Sequence, residues 1–232
     1  MANWRRTILV LAAAALLAAV AAQAAADRWY AVYDGDKHIG YCHLVESTAN
    51  LGNAVVQRFT AVTEAKRDKA GFFTYHETVD RYRSGEMLIY YSSTVKEKGK
   101  TVVVKATRTA EGFSISKIKG EKEETVVIPA EEYGMVEIEE ALEKLSAPGG
   151  KTEVRVLDLD DAKVRKTKLE YVADQSLEIS GETVPTKVIQ AKGGFGGATF
   201  WFAEDGSLVK RLGSTPLGKV TYLLTEAEEA KP

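Results

Sequence analysis

Residues 29–46, WYAVYDGDKHIGYCHLVE, decide the fold class because they alternate in the manner of two β-strands around a tight turn. Asp34-Gly35-Asp36 supplies the turn, and Ile39, Tyr41 and His43 fall on one face of the second strand. Val, Ile and Tyr favour the pleated, half-buried surface of a sheet. This stretch therefore predicts an antiparallel hairpin.

The same period-two alternation continues along the chain, with turn residues at short intervals. Further strands are predicted at 55–65, 72–83, 87–95, 101–107, 113–118, 125–128, 153–159, 163–172, 177–179, 184–191, 198–202, 208–212 and 219–224. Short turns favour an antiparallel meander, because parallel pairs need long crossovers. So many strands must curl, close or split into layers, since an open sheet leaves edges that invite aggregation. We therefore expect a mainly β fold, an antiparallel meander forming a strongly curved sheet, a half-barrel or a barrel.

One segment, 137–145, departs from the alternation. Its apolar residues Ile138, Ala141, Leu142 and Leu145 are spaced as on one face of a helix. Glutamates precede and follow Ile138, which suits the positive end of the helix dipole. An amphipathic helix packed on the sheet is predicted at about 137–145.

The N-terminus has the pattern of a secretory signal peptide. Arg5 and Arg6 precede an apolar run over 8–20, and small residues lead up to the first acid. Cleavage is predicted after Ala24 or Ala26, so that 1–26 is removed. The alternative is an uncleaved anchor, but the run is shorter than the roughly 20 apolar residues that span a bilayer.

The mature chain is expected to be periplasmic or secreted, with no transmembrane segment. Residues 27–226 are predicted to form a single β-rich domain, and the charged residues 227–232 a disordered tail.

Charge and cysteine content exclude several classes of protein. The chain has 31 basic and 33 acidic residues, for a net charge of -2, and the two signs are interspersed. That pattern lacks the basic footprint of a nucleic-acid-binding protein. Cys42 is the single cysteine, so it cannot form an intramolecular disulfide.

The motifs of common catalytic and metal sites are missing from the sequence. No Gly-x-Ser-x-Gly elbow occurs, and the three histidines His38, His43 and His76 do not have the spacing of a zinc site. The acidic turn 158–161 lacks the features of a calcium loop and predicts a solvated hairpin. We expect no catalytic residue, no metal and no cofactor, and hence not an enzyme.

Large apolar side chains lie on both faces of several predicted strands. One face must pack the core, and the other either lines a cavity for an apolar ligand or packs a second layer. The glycine-rich segment 192–197 is followed by a strand rather than a helix, which predicts a hairpin connection with an aromatic tip instead of a phosphate loop. The candidate ligand-binding residues are Trp29, Tyr41, Met87, Ile89, Tyr91, Phe195 and Trp201.

Several turn-and-strand motifs carry a resemblance. They are YDGDKHIGY at 33–41, FTYH at 73–76, DRYRSGEML at 80–88, Ser93-Thr94 before Gly99-Lys100, and FWFAEDGSLV at 200–209. The chain resembles uncharacterised exported bacterial β-rich domains of unknown function. Their architecture is similar to the curved half-barrel of the LolA/LolB-like periplasmic lipoprotein carriers. The resemblance implies a concave apolar face that holds an acyl chain or a lipidated partner, and it carries over no catalytic residue.

The leading functional hypothesis is an exported binding or carrier module that shelters an apolar small molecule, such as a lipid or acyl chain. The second is a structural or accessory domain of an envelope protein complex, with a protein partner and no small ligand. The third is a hydrolase-type enzyme with an unrecognised site.

Overall fold

The computed structural model describes residues 27–67, 73–85, 87–136, 145, 147–194, 197–215 and 218–232. The predicted leader at 1–26 and the predicted ligand contact Phe195 lie outside the described residues. So does the predicted helix at 137–145, apart from Leu145, whose side chain is buried. Among the helices of the described part, none has the length and apolar composition that crossing a bilayer requires.

The described residues form fourteen strands, a short 3₁₀ turn and one turn of α-helix. The strands are β1 Asp27–Asp34, β2 Lys37–Leu51, β3 Ala54–Arg67, β4 Phe73–Ser84, β5 Met87–Glu97, β6 Lys100–Arg108, β7 Gly112–Lys119, β8 Lys122–Pro129, β9 Lys151–Asp158, β10 Lys163–Ile179, β11 Glu182–Gly193, β12 Ala198–Ala203, β13 Leu208–Thr215 and β14 Gly218–Thr225. The 3₁₀ turn is Ala130–Glu132, and α1 is Ala227–Ala230.

All fourteen strands belong to one sheet, in the order β8-β7-β6-β5-β4-β3-β2-β1-β14-β13-β12-β11-β10-β9. Every neighbouring pair is antiparallel, and each pair except β1–β14 is consecutive in sequence. The predicted antiparallel meander is therefore confirmed. Two meanders, β1–β8 and β9–β14, are joined where the first strand pairs with the last.

Tight turns set the register of the hairpins. Lys98 and Gly99 between β5 and β6 both have positive φ, 50° and 74°. This is the turn geometry that matches the twist of the flanking strands, and it favours glycine at the second position. Ser180 and Gly181 between β10 and β11 repeat it, with φ of 46° and 81°.

The sheet is strongly curved, as predicted. Register shifts between Val32 and Tyr33 on β1 and between Tyr82 and Arg83 on β4 mark bulges, which bend a strand and increase its twist. Gly40 lies where β2 and β3 approach so closely that an added Cβ would be 1.9 Å from the Glu64 carbonyl oxygen.

The edges β8 and β9 are not paired with each other in the described part of the chain, but the segment after β8 bridges toward β9. Met135 forms a parallel bridge with Val156, and the Leu157 amide donates to the Met135 carbonyl at 2.9 Å. The Gly134 amide donates to the Arg155 carbonyl at 2.8 Å. The result is a barrel-like shape without a closed hydrogen-bond ladder.

The core follows from this curvature. Val104, Ala106 and Ile115 on β6 and β7 pack with Leu157 and Leu159 of the β9–β10 hairpin, so the two ends of the sheet face each other across the interior. A second cluster fills the half formed by β9–β12, and a third lies where β1–β4 meet β14. Cys42 packs against the third cluster as a free thiol, and burial raises its pKa.

In place of the disordered tail predicted for 227–232, the structure has the helical turn α1 on the outside of the sheet. Ala230 is fully buried, and its carbonyl lies 2.9 Å from His38 Nε2. The Lys231 ammonium lies 4.8 Å from the centre of the Trp29 ring. A small residue at the contact and a cation on an aromatic ring fix the C-terminus, which charge content alone did not reveal.

Candidate ligand-binding site

The curved sheet encloses a cavity of about 640 Å³. It lies between the inner face of β4–β7 on one side and the β9–β10 turn with β13 and β14 on the other. The residues that line it are Tyr75, Glu77, Ser93, Val95, Glu97, Val102, Val104, Lys117, Lys119, Asp158, Asp160, Asp161, Gly194, Arg211, Ser214, Thr215 and Tyr222. Ligand pockets commonly measure about 300–1,000 Å³, so the volume suits a small molecule.

One wall of the cavity is apolar. Val95 on β5 and Val102 on β6 are cross-strand partners, and Val104 follows Val102 on the same face. Val104 is buried, whereas Val95 and Val102 are half-buried. These β-branched side chains form a continuous patch that can pack against a hydrocarbon group.

Two carboxyl groups share the interior. Glu77 points inward from β4, where burial raises its pKa and the nearby charge of Asp160 raises it further. The Tyr75 hydroxyl, two residues away on the same face, donates a hydrogen bond to Glu77 and partly opposes that rise.

Asp160 reaches the cavity from the turn between β9 and β10. Its pKa is raised, first because protein surrounds it on most sides and second because of the charge of Asp158. More than a third of the residue surface is accessible, so the turn is a solvent-exposed hairpin that also lines the cavity. The Tyr91 hydroxyl donates to Asp160 Oδ1 at 2.8 Å, and the Ser93 hydroxyl donates as well.

Most charges around the cavity have partners. Lys117 Nζ donates to the Asp160 carbonyl at 2.7 Å and lies 3.8 Å from Asp161. Arg165 pairs with Asp158 at 2.8 Å and also with Asp161. Two cations, one from β7 and one from β10, therefore partly compensate the three carboxyl groups of the acidic turn.

Arg211 on β13 has no such partner in the part of the chain that the structure describes. Its cross-strand neighbours on the same face are Phe200 and Tyr222, and its guanidinium carbon lies 5.9 Å and 5.8 Å from the centres of their rings. Nε is buried without a hydrogen-bond partner. Within the described ranges, no carboxylate lies within salt-bridge distance of this guanidinium.

The predicted contacts Trp29 and Tyr41 come together, but away from the cavity. Trp29 stacks on His43 with ring centroids 3.8 Å apart, and Tyr41 donates to Glu64 at 2.9 Å. Lys231 covers both aromatic rings from the C-terminal segment. This cluster lies on the outer surface of β1 and β2, where it holds the C-terminus.

The other predicted contacts are dispersed. Met87 is 47% exposed, and Ile89 is half-buried. The Trp201 indole donates to Gln175 at 2.9 Å beneath Lys210, on the opposite face of β12 from Phe200. Tyr91 alone among the described candidates contacts a cavity residue, through its bond to Asp160.

The polar residues of the cavity were not predicted from the sequence, because candidate ligand contacts were chosen by their aromatic or apolar side chains. The signal was present: Tyr75, Glu77, Val79 and Arg81 alternate along one face of β4, so an inward-facing valine predicts inward-facing neighbours. The same alternation along β13 determines which face of the sheet Arg211 occupies.

Other features of the described residues give weaker evidence for a binding site than the cavity does. A depression of about 340 Å³ lies on the β10–β11 hairpin and is lined by Gln175, Pro185 and neighbouring residues, outside the barrel interior. Within the described ranges, no group of three or more His, Cys, Asp or Glu side chains could hold a metal ion. His43 pairs with Asp27 at 2.5 Å, and His76 with Glu64 at 3.2 Å.

Comparison with solved structures agrees with this geometry. The chain is similar to a beta-barrel-like protein of domain of unknown function DUF1849 from Brucella abortus, with a TM-score of 0.56 and 12% sequence identity. The match covers 85% of this chain and 94% of the other. The fold is barrel-like. At this identity the likeness concerns the fold alone, and no family model or curated protein sequence gives a match.

Proposed function

We propose that this chain is an exported, non-enzymatic binding module that holds the apolar part of a small ligand inside its curved sheet. The observation that carries the proposal is the cavity of about 640 Å³, in which a wall of three valines faces a lining of charged and hydroxyl-bearing side chains. An apolar wall can hold a hydrocarbon group while polar side chains orient the rest of a ligand.

The leader predicted at 1–26 supports a role outside the cytoplasm, where lipids and acylated molecules must be shielded from water. The expected likeness in architecture to the curved half-barrel of periplasmic lipoprotein carriers points to the same class of ligand. In a carrier the apolar group leaves water when it enters the protein, and each buried methylene contributes about 0.8 kcal/mol to binding.

The first test is native mass spectrometry of the mature protein purified from its own host. A co-purifying small molecule that dissociates on activation, with an acyl or other apolar group in its fragment spectrum, is the expected result. The contrary result is the ligand-free mass together with a stoichiometric protein partner, which would indicate the structural domain of an envelope complex instead.

The second test uses a neutral fluorescent probe, N-phenylnaphthylamine, with the wild type and two variants. Val102→Trp places an indole in the cavity and is expected to abolish the fluorescence increase. Val127→Trp adds the same indole at an exposed position on β8, where Val127 is 45% exposed, and is expected to leave binding unchanged. Equal binding by both variants would show that the probe does not enter the cavity.

A further inference from the structure

We infer that the ligand is an anionic amphiphile whose head group binds the guanidinium of Arg211 while its chain lies on Val95, Val102 and Val104. This inference rests on the proposed function and adds the charge and position of the head group. It follows from the way the interior charges are paired.

Arg211 is held in place before any ligand arrives. Phe200 and Tyr222 flank it on the two neighbouring strands, and the sheet register fixes all three side chains on one face. Ring faces attract a guanidinium, and they restrict its rotamers. A preorganised arginine loses little further entropy when it binds an anion.

The Nε donor of Arg211 is an unused polar group of this cavity. Nε is buried and without a hydrogen-bond partner, and the described residues provide no carboxylate within ion-pair distance. Arg211 as a whole is half-buried, but a buried donor without a partner, such as its Nε, is costly, and a hydrogen bond to an anion would offset that cost. Carboxylate, phosphate and sulfate groups all match the planar fork of arginine, which donates two parallel hydrogen bonds.

The acids of the cavity do not offer an equivalent site for a cation. Asp160 accepts hydrogen bonds from Tyr91 and Ser93, and Glu77 accepts one from Tyr75. Asp158 pairs with Arg165. Each of these acids has a donor or a cation beside it, whereas Arg211 Nε has no hydrogen-bond partner among the described residues, so Arg211 is the group at which a bound anion gains a new contact.

The position of Arg211 also fits an amphiphile. It lies on β13, whereas the valine wall lies on β5 and β6, and the same cavity touches both. A ligand that contacts both sides needs a charged end and an apolar end. A simple inorganic anion would leave the valines facing water, and a hydrocarbon would leave the guanidinium unpaired.

Titration calorimetry with ligands of one chain length tests the inference. Decanoate, decyl phosphate and decyl sulfate share a decyl-type chain with neutral decanol and cationic decyltrimethylammonium. The wild type is expected to bind at least one anion about tenfold or more tightly than decanol, as a charge-assisted hydrogen bond predicts, and the cation most weakly. The order among the three anions distinguishes a carboxylate source from a phosphate or sulfate source.

Variants at Arg211 and at the neighbouring Lys210 test whether Arg211 causes the preference for anions. Arg211→Met is expected to bind the anions no better than decanol, while Arg211→Lys retains part of the preference. Lys210→Met, the adjacent position on the opposite face and over Trp201, is the matched control and is expected to keep the wild-type preference. Circular dichroism confirms folding, and if Arg211→Met does not fold, the wild-type ranking and Arg211→Lys decide.

The outcomes separate the two proposals. If the wild type binds none of the five compounds, the proposed function fails. If decanol or the cation binds as tightly as every anion, or Arg211→Met keeps the anion preference, the inference is overturned while the binding function stands.

Discussion

The two ends of this sheet have the same strand alternation but bury different chemistry. In the half built from β9–β12, Leu169, Ile189 and Phe202 are each no more than 2% exposed and pack into a filled apolar cluster. In the half built from β4–β7, Val104, Ala106 and Ile115 also form a buried cluster, but Glu77 and Lys117 share the inner face with valines and border a cavity. From this difference we expect the filled half to supply more of the stability, and the hollow half holds the cavity that we propose as the binding site.

The largest expected effect is on stability in the filled half. Phe202→Ala removes a fully buried ring and is expected to lower the free energy of unfolding by about 3–5 kcal/mol, since the cavity left behind cannot collapse fully. Val95→Ala in the hollow half removes a half-buried side chain beside an existing cavity and should cost below about 1 kcal/mol. Urea denaturation of both variants measures the contrast, and equal losses would show that the two halves are equally packed.

The second prediction concerns Glu77 and the pH dependence of stability. Its pKa in the folded state lies above the ordinary 4.5, so the folded protein binds more protons than the unfolded chain between those values. The contribution of Glu77 to stability is therefore greatest at low pH and is lost as the pH rises through the folded-state pKa. Glu77→Gln is expected to flatten this fall and to be the more stable protein at pH above that window.

Chemical denaturation at a series of pH values, with Glu124→Gln as control on the exposed strand β8, measures this effect. The control should follow the wild-type pH profile. A steeper fall in Glu77→Gln than in the wild type would contradict the burial of this carboxyl.

The third prediction links the carboxyls to the anion site, with a smaller, several-fold effect. Decyl sulfate stays ionised throughout the accessible range, so only the protein titrates. As the pH falls, Glu77 and Asp160 take up protons and repel the sulfate less, so binding is expected to tighten. Two arginines moderate the change, because the charge of Arg211 lowers the pKa of Glu77 and the charge of Arg81 lowers the pKa of both carboxyls. Binding that weakens as the pH falls would place the head group away from these residues.

The fold could be predicted from sequence because alternation and turns are local signals. The hairpin of residues 29–46 shows this directly: turn residues fix the bend, and period two fixes which side chains share a face. The order of the strands within each of the two meanders also followed, since short turns favour a meander, but the pairing of β1 with β14 that joins the meanders was not predicted.

The cavity could not be predicted in the same way, because it depends on which strands meet across the interior. Asp160 and Tyr91 are hydrogen-bonded but 69 residues apart in the sequence, and only the curvature of the sheet brings them together. Arg211 looks like any basic residue on a strand until its neighbours Phe200 and Tyr222 are known. Trp29 and Tyr41 were predicted as ligand contacts but lie on the outer face, since aromatic character alone does not distinguish the inner from the outer face of a sheet.

The smallest expected effect is a change in stability at the outer face, where Lys231 contacts Trp29 and Tyr41. Lys231→Ala removes the ammonium over Trp29 and Tyr41, an exposed cation–π contact of about 0.5–1 kcal/mol, so the melting temperature should fall only slightly. Lys105→Ala, an exposed lysine on β6, is the control and should leave it unchanged. Because Lys231 lies outside the sheet, its removal should not alter decyl sulfate binding, whereas Arg211→Met should abolish the preference for the anion. A loss of binding in Lys231→Ala would place the site on the aromatic cluster of β1 and β2, and it would reverse the assignment of binding to the interior.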